Sequence, residues 1–193
     1  MLEGRIDLTN QFLIAMPGMV DENFKDAVVY LCEHTERGAL GLVINKPIDL
    51  NLKNLFEKVD LNLERDDLAQ RPVFFGGPVQ TDRGFVLHER VGPEGASYGS
   101  SLAIRGGLEM TTSKDVLEAL ALGTGPKQVF ITLGYSGWTA GQLEDEISRN
   151  GWLNVDAARE VIFDTPVDKR YQRALALLGL DALSISHHQV GHA

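Results

Sequence analysis

The strongest constraint on the fold is a pair of apolar, β-rich runs that follow each other closely in the chain. Residues 27–34 (AVVYLCEH) and 38–46 (GALGLVINK) are separated by only a few polar residues. β-Branched and aromatic residues favour strands, and a short polar joint between two such runs favours a hairpin. Apolar residues also fill the intervening positions, which is typical of strands covered on both faces. The two runs therefore predict a hairpin at the centre of a β-sheet.

Similar β-rich runs recur along the chain and are interleaved with helical patterns. Further strands are predicted at residues 12–16, 73–77, 84–89, within 102–112, at 129–133 and at 152–155. Helices are predicted at residues 52–59, 113–123 and 165–179, where apolar residues recur at helical spacing. Residues 60–71 are predicted to form a surface connection, and residues 80–84 the turn of a hairpin. Paired strands mixed with single helices predict an α+β fold.

The ends of two helices are marked by typical capping residues. Ser113 is predicted to cap the helix that follows it, and Thr165 with Pro166 is predicted to open the last helix. Gly123 and Gly179 are predicted to end these helices, because glycine readily adopts the left-handed conformation found after a helix.

Length and composition are those of an ordinary globular protein. The 193 residues are 44% hydrophobic and 23% charged, which predicts one domain over residues 1–193 with a flexible tail from about residue 181. Cys32 is the only cysteine, so an intramolecular disulfide is impossible and a reducing compartment is suitable. The N-terminus lacks the pattern of a signal peptide, and no apolar stretch approaches the roughly 20 residues of a membrane span. We expect a soluble, cytoplasmic protein.

The charge balance argues against two classes of partner. The chain carries 18 basic and 27 acidic residues, a net charge of −9. Such a charge repels phosphate backbones and anionic membrane surfaces. Neither a helix-turn-helix pattern nor a basic helix is present. We therefore expect neither direct nucleic-acid binding nor membrane binding.

The segment LGYSGWTAGQLEDEI, residues 133–147, resembles an active-site motif in part. A nucleophile elbow has the pattern Gly-x-Ser-x-Gly, whereas here Gly137 stands one position early and Trp138 occupies the place of the second glycine. A hydrolase would use Ser136 as the nucleophile, with His34 or His88 as the base.

The same segment also has the features of a helix start. Thr139 and Gln142 have the spacing of a capping box, and Trp138 and Leu143 that of a hydrophobic staple. This interpretation predicts a bend at Ser136 that leads into a helix, and it accounts for more of the residues. We prefer it, so no catalytic residue is assigned.

Histidines and the cysteine offer few metal ligands. Cys32, His34 and His88 could bind zinc together, but a full set of four ligands is missing and core positions are the simpler interpretation. The tail histidines His187, His188 and His192 could hold a metal adventitiously, although a disordered terminus is expected there. We predict no metal and no cofactor.

Two further places could form a ligand cleft. Asn45 and Lys46 stand where a central strand is predicted to meet a helix, and Lys46 could contact an anion there. A strand that ends at a turn is the simpler interpretation, because no phosphate-binding loop precedes the helix. Gly76 and Gly77 lack a following lysine or helix and are predicted to form a bend at a strand edge.

Several blocks of the sequence together resemble the bacterial YqgE/AlgH family. They are residues 12–47, 74–88 (FFGGPVQTDRGFVLH), 133–147 and 150–153 (NGWL), in matching order and spacing. The resemblance implies a cytoplasmic bacterial protein with a compact α/β fold, in which helices surround a bifurcated, partly barrel-like mixed sheet. The resemblance does not supply a biochemical activity, because none is established for the family, although some members are labelled transcriptional regulators. In the family block, position 136 is often alanine, which argues against a nucleophile at Ser136.

Three hypotheses remain at this point. The preferred one is a non-enzymatic binding or regulatory protein that recognises a small ligand or a protein partner. Its candidate ligand-binding residues are Asn45, Lys46, Gly76, Gly77, Gly134, Gly137 and Trp138. The alternatives are a hydrolase that uses Ser136 and a regulator that binds DNA directly.

Overall fold

The computed structural model describes residues 6–92 and 97–181, which contain ten strands and six α-helices. The strands are β1 (Gln11–Ala15), β2 (Val28–Thr35), β3 (Gly38–Val43), β4 (Pro47–Asn51), β5 (Pro72–Phe75), β6 (Val79–Glu89), β7 (Ser101–Ala103), β8 (Leu108–Thr111), β9 (Val129–Thr139) and β10 (Trp152–Asp156). The helices are α1 (Leu52–Lys58), α2 (Asp66–Ala69), α3 (Asp115–Ala121), α4 (Gln142–Ser148), α5 (Arg159–Phe163) and α6 (Arg170–Leu177). None of the described helices is long and apolar enough to span a membrane.

These elements fall into two compact units. Residues up to Asn45 and from Ser136 onwards form the first unit, and Lys46–Tyr135 forms the second. Strand β9 begins in the second unit and ends in the first. The single domain expected from the sequence stays a prediction, and the expected tail beyond residue 181 lies outside the described residues.

The first unit contains the predicted central hairpin. Its strands follow the order β10-β1-β2-β3-β9, and every neighbouring pair is antiparallel. Strands β2 and β3 pair from Val29 opposite Val43 to Thr35 opposite Gly38, which confirms the hairpin. Val29, Leu31 and Val43 lie in a buried core cluster, and Tyr30 and Leu42, which alternate with them along the strands, are also buried. The hairpin is therefore covered on both faces.

The second unit adds a parallel pair to otherwise antiparallel strands. Strand β6 lies between β9 and β8, and β7 pairs with β8 at the edge. Strand β5 runs parallel to β9 and antiparallel to β4. Helices α1 and α3 pack against this unit's core around Phe56, Val86 and Leu120. The predicted α+β fold with a mixed sheet is thereby confirmed.

The hairpin turn predicted at residues 80–84 is wrong. Strand β6 runs from Val79 to Glu89 without a turn, and Gln80 has a φ of 48°. Val79 lies opposite Tyr135 and Gly84 lies opposite Leu133, so extra residues on β6 are accommodated in an irregular register. Turn-forming residues here produce a bulge within one strand, because β9 continues to pair on both sides of it.

The bend predicted at Ser136 is also wrong. Strand β9 continues to Thr139, and Ser136 lies in it directly opposite Gly41 of β3. The change of direction comes later, at Gly141, whose φ of 78° precedes α4. The predicted capping box forms in part: Gln142 Oε1 accepts a hydrogen bond from Thr139 N at 3.0 Å. Pairing with β3 satisfies the backbone of residues 136–139 and so extends the strand.

Helix boundaries also differ from the sequence prediction at their N-terminal ends. Helix α3 follows Lys114, whereas Ser113 donates its hydroxyl to Asp115 Oδ1 at 2.6 Å. The last helix begins at Arg170, because a 3₁₀ turn at Val167–Lys169 follows Pro166. The surface connection predicted at residues 60–71 contains α2, whose Leu68 and Ala69 are buried, and α5 was not predicted either.

The helix ends predicted at the two glycines are confirmed. Gly123 and Gly179, with φ of 78° and 73°, follow the C-caps of α3 and α6. A glycine at this position adopts the left-handed conformation that ends a helix.

Candidate functional site

Ser136 has the environment of a core residue. Its side chain is fully buried within β9 in the first unit. A catalytic serine must present its oxygen to a substrate in a cleft, as the nucleophile elbow does by a sharp turn after a strand. The regular strand at Ser136 provides no such turn. The geometry therefore gives no support to Ser136 as a nucleophile.

His34 is a structural link in the first unit. Its Nδ1 accepts a hydrogen bond from Leu8 N at 3.0 Å, and its Nε2 is paired with the Glu144 carboxylate. Its backbone N donates to Thr9 Oγ1 at 3.0 Å. Both ring nitrogens are thus engaged, one with the N-terminal segment and one with α4. His34 fastens these two segments to β2 and is not available as a general base in this arrangement.

His88 belongs to a buried hydrogen-bond chain in the second unit. Because the Glu89 carbonyl can only accept, the Nδ1–H of His88 donates to it at 2.7 Å, and Nε2 accepts from the Thr111 hydroxyl at 2.7 Å. The Thr111 oxygen in turn accepts from the Ser101 hydroxyl at 2.7 Å. Burial lowers the pKa of His88, although the Glu89 carbonyl and the carboxylates of Glu109 and Glu89 act in the opposite direction. The chain of bonds is therefore that of a neutral imidazole.

Acidification is expected to destabilise the protein partly through His88. Since the folded-state pKa of His88 is lowered, the unfolded chain binds the proton more tightly. The stabilisation is complete above the ordinary histidine pKa of about 6.5 and is lost progressively as the pH falls through the lower folded-state value. Urea unfolding of the wild type and His88→Gln should be compared at about pH 7.5 and about pH 5.5. We expect a smaller pH effect in the variant; equal pH effects in both proteins would contradict this role.

Cys32 is a buried apolar side chain. It is 2% exposed, and burial raises the pKa of its thiol, so the thiolate needed for metal binding or nucleophilic attack is disfavoured. Within residues 6–92 and 97–181, no three histidine, cysteine or acidic side chains are grouped as a metal site would require. The tail residues His187, His188 and His192 lie outside the described part of the chain.

Gly76, Gly77 and Gly134 meet in the second unit, backbone against backbone. A Cβ on Gly134, whose φ is 80°, would lie 2.3 Å from the Gly77 carbonyl oxygen. A Cβ on Gly76 would lie 2.3 Å from the Gly134 oxygen and 2.4 Å from Thr132 Oγ1. The space beside these glycines is therefore filled by the protein itself, which accounts for them as a close backbone crossing.

Trp138 and Gly137 lie in the first unit. Gly137 continues β9 opposite Leu40, and Trp138 is 5% exposed. The indole of Trp138 donates to Glu146 Oε1 at 3.1 Å, and that of Trp152 donates to the same oxygen at 2.9 Å. Trp138 thus helps to hold α4 on the strands. Its environment is that of a core anchor.

Asn45 and Lys46 fall on opposite sides of the boundary between the units. The Asn45 amide accepts from Val28 N at 2.9 Å and donates to the Asp26 carbonyl at 2.8 Å. It also contributes to a shallow depression of the first unit beside Asp168 and Tyr171. The Lys46 carbonyl accepts from Phe75 N at 2.8 Å in the second unit. Asn45 therefore has a structural role in the loop before β2.

A cleft that the sequence did not indicate lies in the second unit, between α1, α3 and one face of the strands. Its volume is about 240 Å³, and it is more enclosed than the depression beside Asn45. Its apolar walls are Leu55 and Val59 on the side of α1, Leu117 of α3, and Val86, Ile131 and Leu133 of the strands. Asp82, Thr111, Thr112, Ser113 and Lys114 add polar groups.

Gly84 lines this cleft and leaves open space beside the strand. It alternates with Asp82 and Val86 along β6, so all three positions face the same side of the strand. A Cβ on Gly84 would meet no atom within 4 Å, unlike one on Gly76 or Gly134. A strand glycine with open space beside it leaves room for a ligand. The sequence signal was the glycine between Asp82 and Val86, which was assigned to a turn.

Comparison with known proteins places this fold among bacterial relatives. A family model described as AlgH-like matches residues 12–183. UPF0301 proteins of Burkholderia multivorans and Burkholderia thailandensis are each 62% identical over 98% of this chain and 97% of their own. The solution structure of AlgH from Pseudomonas aeruginosa has a TM-score of 0.76 and 49% identity, with 98% of each chain covered.

A more distant structure shares the fold alone. The crystal structure of protein DIP2367 from Corynebacterium diphtheriae has a TM-score of 0.70 at 18% identity, with 89% of this chain and 87% of that chain covered.

Proposed function

The chain belongs to the AlgH-like family, and we propose that it is a non-enzymatic protein that binds a small molecule in the cleft between α1 and α3. The observation that carries this proposal is the open space beside Gly84, within a cleft lined by apolar side chains together with a few polar ones. Small-molecule sites typically have this composition, because apolar walls supply affinity and a few polar groups fix orientation.

Incomplete burial of the apolar walls supports the same proposal. Leu55, Leu117 and Leu133 are only partly buried, although each packs against the core of the second unit. Leaving apolar surface in water costs about 25 cal/mol per Å², and a ligand that covers it recovers that free energy. The preference for a binding protein over a hydrolase is further supported by the burial of Ser136 and the engaged nitrogens of His34.

Substitution of Gly84 by leucine is expected to close the cleft and abolish binding of a small apolar probe. The new side chain would enter open space, so the backbone need not move. Toluene should be titrated into protein with labelled methyl groups, because its small apolar ring would cover the apolar side chains of the cleft. We expect NMR shift changes at the methyls of Leu55, Leu117 and Ile131 in the wild type and none in Gly84→Leu.

The matched control places the same side chain outside the cleft. Ala103 is exposed on the edge strand β7 and does not line the cleft. Ala103→Leu should therefore bind toluene as the wild type does. The proposal fails if the wild-type cleft methyls do not respond to toluene, or if Gly84→Leu responds equally.

A further inference from the structure

We propose that the ligand of this cleft is a free amino acid with an apolar side chain, of the leucine or phenylalanine class. This inference rests on the proposed function and names the chemistry that the same site would recognise. Three features carry it: two opposite charges among the exposed lining residues, prior engagement of the neighbouring polar groups, and the size of the cleft.

Among the residues that line the cleft, Asp82 supplies a carboxylate and Lys114 an ammonium group. Asp82 stands on β6, two residues before Gly84, and Lys114 immediately precedes α3. Both side chains are exposed, and within the described residues neither forms an ion pair. A ligand with only one charge would be attracted by one of these groups and repelled by the other. A zwitterionic ligand, which carries one positive and one negative group, can pair with both side chains.

The other polar side chains that line the cleft already have partners within the protein. The Ser113 hydroxyl donates to Asp115 Oδ1 at 2.6 Å and accepts from Ser100 N at 2.9 Å. Asp115 Oδ2 accepts from Gly99 N at 2.7 Å. Burial acts to raise the pKa of that carboxyl, but its hydrogen bonds with Ser113 and backbone N–H groups together keep the pKa below its usual value.

Thr112 and Thr111 are engaged in the same way. Thr112 Oγ1 accepts from Arg83 at 3.2 Å. The Thr111 hydroxyl is held between His88 and Ser101. Recognition of a charged head group therefore falls on Asp82 and Lys114.

The size of the cleft suits a small ligand. A free amino acid with a branched or aromatic side chain fits within its volume of about 240 Å³. Its side chain would lie over Gly84 between Val86 and Leu117, where the walls are apolar.

The test uses three ligands that share one apolar body. L-Leucine carries both charges, 4-methylpentanoate lacks the ammonium group, and 3-methylbutylamine lacks the carboxylate. Each should be titrated into the full-length protein and followed at the methyls of Val86 and Leu117. We expect L-leucine to bind about fivefold more tightly than either analogue, the effect of one partly exposed ion pair of about 1 kcal/mol.

Two substitutions test which side chain binds which charged group of L-leucine. In Asp82→Asn, L-leucine should bind no more tightly than 4-methylpentanoate, because the partner of the ammonium group is gone. In Lys114→Met, L-leucine should bind no more tightly than 3-methylbutylamine. Ala103→Leu should retain the wild-type order of affinities.

The outcomes separate this inference from the proposed function. If toluene binds in the wild type but L-leucine shows no advantage over both analogues, the amino-acid ligand is refuted and the binding cleft stands. If the cleft methyls respond neither to toluene nor to L-leucine, both are refuted. An advantage of L-leucine that survives in Asp82→Asn and Lys114→Met would also refute the assignment of its head group.

Discussion

Gly134→Ala is expected to lower the free energy of unfolding by about 4 kcal/mol or more, a large share of the roughly 5–15 kcal/mol that stabilises a typical domain. The new Cβ would lie 2.3 Å from the Gly77 carbonyl oxygen and 3.2 Å from that of Val79. Both neighbours are backbone atoms, so relief requires movement of the chain between β5 and β6. The φ of 80° adds about 1 kcal/mol of strain for a residue with a side chain. Urea unfolding followed by circular dichroism measures the loss.

Two other glycines separate the causes of this effect. Gly123 has a φ of 78° but no atom near its missing Cβ, so Gly123→Ala should cost only about 1 kcal/mol of backbone strain. Gly84 has neither a positive φ nor a close neighbour, and Gly84→Ala should be within about 0.5 kcal/mol of the wild type. If Gly134→Ala proves no more destabilising than Gly123→Ala, the backbone crossing is not what requires glycine at position 134.

The glycine-rich blocks are therefore better explained by shape than by ligand contact. Gly76 and Gly134 allow β5 and β9 to come together beside Thr132, whose hydroxyl donates to the Gly134 carbonyl at 2.9 Å. A ligand bound by glycines needs free amide groups and open space. Of Gly76, Gly84 and Gly134, Gly84 alone has that open space, in the same block of sequence as Gly76 but on the face of the cleft.

Local sequence patterns predicted the elements that depend on local chemistry. The β2–β3 hairpin, the core of β9 from Val129, and the helix ends at Gly123 and Gly179 were all evident from short segments. Each depends on residue propensity, on alternation, or on the conformational freedom of glycine. The resemblance to the YqgE/AlgH family correctly indicated the family and the mixed α+β fold.

Elements decided by distant partners were not predicted. Residues 80–84 have turn chemistry, yet they continue β6 because β9 pairs on both sides of the irregularity. Ser136 stands between Gly134 and Gly137, yet it continues β9 because β3 provides a neighbouring strand. The cleft was not predicted either, because it forms only when α1, α3, β6 and β9 are placed around Gly84. Local propensity cannot report on such contacts.

Glu146→Ala is expected to lower the free energy of unfolding by about 3 kcal/mol. The carboxylate accepts both indole N–H groups through Oε1, and Gln142 Nε2 donates to Oε2 at 2.9 Å. Trp138 and Trp152 are 5% and 2% exposed, so without Glu146 their N–H groups would lose their partner in a buried site. Each buried donor left unsatisfied costs about 1–3 kcal/mol. Phe24, which packs against both rings, should loosen with them.

Trp138 and Trp152 are the only tryptophans of the chain, so intrinsic fluorescence reports directly on this cluster during urea unfolding. Asp145→Ala is the matched control, because Asp145 lies on the same helix and pairs with Arg149 in an exposed i,i+4 bridge worth at most about 0.5 kcal/mol. Glu146→Gln keeps one acceptor oxygen and should recover much of the lost stability. An unfolding free energy for Glu146→Ala equal to that of Asp145→Ala would mean that the indoles find other partners, and that α4 is held by Leu143 and its apolar neighbours alone.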